Sequence, residues 1–285
     1  MPLDEDKYPE QTGRRRFVKG VVGSAALASV GAGTAASINT ATSAPGAGGG
    51  TTEFVGIELI SGPAPRGMPI VPIEVTDEGV LQGKWPEVQE VDQGGKTVTV
   101  AQEDVGGVTY SSSWFQYCGV QQYSGTAPDI EANNEFLVKP GTYDWLGDLE
   151  TGEPFTVDDF SDYEEWTNDY GSPGDGKPGM ADWRSTADGR PMPVQVLRSP
   201  EVPKLANGEG KYSSLSADVL SFVDAATDES FIAWMDKCTH FCCVPGYRTS
   251  DFNNGGDKVY CQCHQSLYDP FSPVKEQFVA LPRPK

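Results

Sequence analysis

The chain holds 285 residues, with 21 Lys or Arg against 41 Asp or Glu and a net charge of −20. Phosphate binding needs a basic face, and no such face stands out, so nucleic acid is excluded as a main partner. A hydrophobic fraction of 38% with 10% aromatics is enough for a packed core, which excludes disorder of the whole chain.

At the N-terminus, Gly13-Arg14-Arg15-Arg16-Phe17-Val18-Lys19 precedes an uncharged run from Gly20 to Thr52. Residues 1–16 read as a cytoplasmic tail and 17–38 as an apolar segment of 22 residues. That length can cross a hydrocarbon core of about 30 Å. An amphipathic helix would show a polar face, and this run has only small residues between Val21, Val22, Leu27 and Val30. The Arg pair, with Phe17 and Lys19 after it, resembles a twin-arginine export signal, which carries folded proteins across the membrane. Retained, the segment is a single-pass anchor of the cell membrane. Its N-terminus stays cytoplasmic by the positive-inside rule, and the head lies outside. Residues 39–53, which include Gly46-Ala47-Gly48-Gly49-Gly50, read as a flexible hinge with a reach of about 20 Å.

Residues 54–285 read as an all-β, antiparallel head. Phe54–Ile60, Thr97–Val100, Val194–Leu197 and Val219–Val223 are rich in β-formers, and 33 Gly and 22 Pro punctuate the gaps. Residues 141–190 read as a loop-rich insertion. It holds thirteen Asp or Glu against Lys177, Arg184 and Arg190, half of the chain's net charge. Asp158, Asp159, Asp162, Glu164 and Glu165 lack the ordered spacing of a calcium loop, so the run reads as a solvated face. An acid excess of this size resembles the surfaces of proteins from salt-loving archaea.

The chemistry concentrates in residues 236–270. Both histidines and five of the six cysteines lie between Cys238 and His264. One group is Cys238-Thr239-His240-Phe241-Cys242-Cys243, and the other is Cys261-Gln262-Cys263-His264-Gln265-Ser266. Seventeen residues separate them, with Asn253-Asn254-Gly255-Gly256 as turn material that lets two loops fold side by side. Thiolates and imidazoles in this number are a metal-binding set, and zinc with two Cys and two His is one reading. Zinc leaves the additional cysteines Cys243 and Cys263, one in each group, without a role.

The two groups together resemble the Rieske iron–sulfur family, whose boxes read C-T-H-x-G-C and C-x-C-H-x-S. The likeness covers roughly residues 215–285. It implies one [2Fe–2S] cluster, with Cys238 and Cys261 on one iron and His240 and His264 on the other. It further implies a disulfide between Cys243 and Cys263, and hydrogen bonds to cluster sulfurs from the hydroxyls of Ser266 and Tyr268. Two neutral imidazoles in place of two thiolates remove negative charge, so an electron is taken up more easily. Such centres span about −150 to +300 mV, against about −400 mV for plant-type ferredoxins, and hydroxyl donors push toward the upper end.

Proton-coupled reduction at a histidine ligand suits quinol, so His240 and His264 are the expected quinol-facing residues. With an anchor, a hinge and a clamp disulfide, the chain resembles the iron–sulfur subunit of cytochrome bc-type complexes. The implied partners are a cytochrome b-type subunit, quinol and an extracytoplasmic electron acceptor, with the membrane reached through the anchor. The small subunit of arsenite oxidase is the alternative, and a shuttle ferredoxin a further one. The family's glycines are replaced at Cys242 and Gln265, and no Gly-Pro-Ala-Pro string follows the second box. Phe271-Ser272-Pro273 or Leu281-Pro282-Arg283-Pro284 takes its place, while Gly62-Pro63-Ala64-Pro65 reads as a distant turn. Cys118 and Cys242 remain, and an even remainder in an oxidising compartment predicts a second bridge.

Overall fold

The computed structural model describes residues 50–92, 97–118, 126–186 and 190–280. The tail, the apolar segment, nearly all of the hinge and residues 281–284 lie outside the described residues. Among the described residues, no helix is long and apolar enough to cross a membrane.

The described chain is mostly β. Its strands are β1 Gly50–Ser61, β2 Met68–Val71, β3 Ile73–Val75, β4 Leu81–Gly83, β5 Val88–Asp92, β6 Thr97–Val105 and β7 Val108–Ser111. They continue with β8 Leu137–Val138, β9 Lys177–Trp183, β10 Met192–Arg198, β11 Phe231–Met235, β12 Gly246–Tyr247, β13 Val259–Cys261 and β14 Ser266–Ala280. Nine of them form one sheet in the order β12-β13-β14-β1-β2-β11-β10-β9-β8, and β3-β4 and β5-β6-β7 form smaller ones. The pairings are antiparallel.

In the middle of the large sheet, β2 and β11 are buried at every residue and β10 at all but Arg198. A strand covered on both faces needs no polar alternation, and Phe231-Ile232-Ala233-Trp234-Met235 shows none. In Val194–Leu197 the polar Gln195 is fully buried, and its Oε1 accepts from Tyr247 N. An aromatic layer packs beside them. Trp183 meets Trp85, Phe115 and Phe136, and Trp114 meets Phe54, Tyr110 and Phe222.

The pairing of β1 with β14 joins segments more than 200 residues apart, from Gly50 opposite Ala280 to Ser61 opposite Leu267. Its register shifts between Ile57 and Glu58, whose partners are Pro273 and Asp269. Pro270 and Pro273 lack the N–H that a regular ladder needs, and the irregularity accommodates them. Phe271-Ser272-Pro273, expected to replace the missing loop, is therefore part of a strand.

Two helices, α1 Glu201–Ala206 and α2 Ala217–Ala226, are the α elements described. The second corrects a sequence expectation, because Val219–Val223 is helix and not strand. Val219, Phe222, Val223 and Ala226 are buried at spacing i, i+3, i+4, i+7, a helical stripe that outweighs β-propensity.

The acidic stretch 141–190 runs as turns and short 3-10 helices at Asp144–Asp148 and Val157–Phe160, and then forms β9. Pro178, Met180, Ala181 and Trp183 supply an apolar run that can enter the sheet. Some of its acids organise the loop itself. Asp159 accepts from Thr156 N and Oγ1, and Asp162 Oδ1 meets the buried Lys177 ammonium at 2.8 Å. Arg248, fully buried after β12, holds this stretch to the cysteine-rich part. Its guanidinium donates to Tyr170 O, and its own carbonyl accepts from Asn168 Nδ2.

Candidate metal centre

The two cysteine-rich groups are loops at one end of the large sheet. The first follows β11, and the second links β13 to β14. Both close in the same manner, since Cys242 N donates to Cys238 O at 3.0 Å and Gln265 N to Cys261 O at 2.9 Å. Both closing residues are left-handed, with φ of 64° at Cys242 and 61° at Gln265. A side chain is strained in that region and Gly is not.

The loops are joined covalently by the disulfide Cys243–Cys263. The sulfurs of Cys243, Cys261 and Cys263 lie within 4.8 Å of one another, but the bridge leaves Cys261 as the thiol among them able to ligate. That thiol is hydrogen-bonded to Cys238. The Cys261 thiol, the Tyr268 hydroxyl and the N–H groups of His240 and Phe241 all favour Cys238 as thiolate and lower its pKa. Cys261 is pushed up in turn, first by that shared bond and then by burial. The Tyr268 hydroxyl donates to Cys238 Sγ at 3.2 Å.

The imidazoles form a second pair. His240 and His264 have ring centroids 4.8 Å apart, with Phe241 at 4.3 and 4.5 Å from the two rings. His264 is exposed, His240 is half-buried, and Phe241 is 61% exposed. Two soft donors thus meet inside the loops while two imidazoles meet at their outer end.

Two buried polar atoms here have no hydrogen-bond partner, His240 Nδ1 and Ser266 Oγ. Orphaned polar atoms in a buried place are costly unless a ligand satisfies them. A ring nitrogen able to bind metal and a hydroxyl able to bond sulfide fit an inserted iron–sulfur group.

Cys118 and Cys242 are neighbours without a bridge. The Cys118 thiol donates to Cys238 O at 3.2 Å and is hydrogen-bonded to Cys242, and both are free cysteines. The expected second disulfide is not formed. Burial, and then the bond to Cys242, raise the Cys118 pKa to about 12.

Gly62-Pro63-Ala64-Pro65, expected as a turn distant from the second box, stands beside it. The pairing of Ser61 with Leu267 brings this turn against the second loop. At φ +103°, Gly62 lies so close that a Cβ there would stand 2.5 Å from Ser266 Cα and 3.0 Å from Gln265 O. Ala64 is buried, and Arg66 O accepts from the Thr239 hydroxyl at 2.7 Å, between Cys238 and His240. The string itself was visible, but its 200-residue distance from the second box concealed the contact.

No family model matches the sequence, and neither the curated proteins nor the solved structures contain a significant match. The all-β architecture, the cysteine cluster and its disulfide are loosely compatible with a Rieske-like fold.

Proposed function

We propose that this protein transfers electrons through a high-potential Rieske-type [2Fe–2S] cluster, held by Cys238, Cys261, His240 and His264. The pairwise sorting of the donors carries the reading: two thiols in contact, and two imidazoles ring to ring, on loops clamped by Cys243–Cys263. Bound there, the cluster would supply a one-electron acceptor. The chain's own residues then set its behaviour. Tyr268 donates to the Cys238 sulfur, and the orphaned Ser266 hydroxyl is available to a sulfide, so both stabilise added negative charge. Gly62 packs against Ser266 and Gln265 on the second loop.

The exposed imidazole of His264 and the apolar Phe241 beside it favour quinol as donor. A quinol hydroxyl would hydrogen-bond His264. His264 would take the hydroxyl proton, and the cluster, when bound, would supply the acceptor for one of the quinol's two electrons. The second electron and proton leave through a cytochrome b-type membrane partner, so the quinol ends as quinone. An extracytoplasmic acceptor would take the first electron on. The twin-arginine-like Arg14-Arg15 and the glycine-rich hinge agree with an exported, tethered head.

Electron paramagnetic resonance of the dithionite-reduced protein tests the reading, followed by redox titration at several pH values. A signal with average g below 2 and a potential that falls with rising pH are expected. His264→Cys should lower the potential, because a thiolate restores negative charge. Bound zinc with no iron signal would refute the proposal.

A further inference from the structure

Arg66 is a buried cation with no counter-ion among the described residues. It is 9% exposed, and none of its nitrogens lies within ion-pair distance of a carboxylate there. Its Nη1 is buried without a hydrogen-bond partner. Aromatic faces surround it instead, with the guanidinium carbon 3.7 Å from the Phe278 ring centroid, 4.5 Å from Tyr117 and 5.0 Å from Phe54. The nearby carboxylate, Glu276, is engaged by Gly67 N at 2.7 Å. Burial lowers the Arg66 pKa, yet a guanidinium stays protonated in proteins.

This arrangement is costly for packing alone. A buried charge normally needs a partner, and ring faces return only about 0.5–2 kcal/mol. Met or Leu would fill the same aromatic cage without desolvating a cation. The position explains the charge better. Arg66 O holds the Thr239 hydroxyl between two proposed ligands. The Tyr117 ring beneath the guanidinium donates its hydroxyl to Lys237 O at 2.9 Å, directly before Cys238. Tyr268, which bonds the Cys238 sulfur, is within electrostatic reach of Arg66.

We propose that Arg66 is a positioning residue for the redox step, a fixed positive charge behind the first cysteine loop that favours the reduced cluster. The inference rests on the Rieske reading above. One added electron would make the cluster more negative, and a cation buried among aromatic rings would attract it more strongly than a surface Lys would. In a chain of charge −20, such a local cation also offsets the field that opposes electron uptake.

The test is the midpoint potential of the cluster-loaded protein, with the electron paramagnetic resonance signal as the check on loading. Arg66→Met should weaken electron affinity about tenfold, which is about 59 mV for one electron. Arg66→Lys should stay near wild type. If Arg66→Met does not accumulate, Phe278→Leu keeps the cation but admits water, and a smaller drop in the same direction is expected. Unmoved potentials in these variants, or an equal drop in Arg66→Met and Arg66→Lys, would overturn the role of charge. A wild-type protein without the iron signal would instead remove the Rieske reading, and the inference with it.

Discussion

The centre of the large sheet and the cysteine-rich end are held by different physics. In β2, β10 and β11 nearly every side chain is buried, and Trp183 and Trp234 are fully covered. Burial of such side chains stabilises by about 1.5–3 kcal/mol each, and no covalent link is needed. At the other end, Phe241, Cys263, His264 and Gln265 are exposed, and Cys242 and Gln265 sit in strained left-handed backbone. That end adds one disulfide, a few backbone hydrogen bonds, the Arg248 guanidinium and the turn at Gly62 to the buried Cys238, Tyr247, Val259, Cys261 and Tyr268. Exposed side chains contribute little burial, and the cross-link between the loops supplies part of what burial does not.

The largest expected effect lies in the aromatic layer packed beside that centre. Trp183→Ala removes a ring packed on Trp85, Phe115 and Phe136, and should cost about 3–5 kcal/mol. Thermal unfolding of the whole head would report it. If only the cysteine-rich end melted, the division drawn above would be wrong.

Cys243→Ser with Cys263→Ser opens a loop of sequence separation 20, worth about 3 kcal/mol in the chain-entropy model. The loss should fall on the loops. Amide exchange is expected to accelerate at residues 238–243 and 261–266 while β10 and β11 stay protected. Uniform acceleration would show that the two regions unfold as one.

Gly62→Ala forces a Cβ to within 2.5 Å of Ser266 Cα at φ +103°, and should cost about 1–3 kcal/mol. Proteolysis near Ser266 should rise with little change in the centre of the sheet. An unaffected variant would mean the turn is free to move away.

The smallest effect is a gain. Gln265→Gly relieves a φ of 61° and should stabilise the loop by up to about 1 kcal/mol, because its added unfolded-state entropy cancels part of the relief. A small rise in midpoint temperature would be the readout, and a fall would place the Gln265 side chain in a contact that matters.

Short spacings in the sequence were enough to bring Cys238, His240, Cys243, Cys261, Cys263, His264, Ser266 and Tyr268 forward as candidates. Within a few residues the chain has little freedom, so a box of six residues largely carries its own geometry. The Cys243–Cys263 bridge and the Tyr268 bond to Cys238 agree with that reading. Helix at Val219–Val223 was also legible through its apolar spacing, but β-branched content concealed it.

What only the tertiary structure decided is what stands around those boxes. Gly62, Arg66, Tyr117 and Cys118 reach the site through the β1–β14 pairing and through a core packed from distant segments. Such contacts depend on which strands pair, and strand pairing is set by the burial of the whole head. No local pattern near Gly62 or Arg66 could encode it.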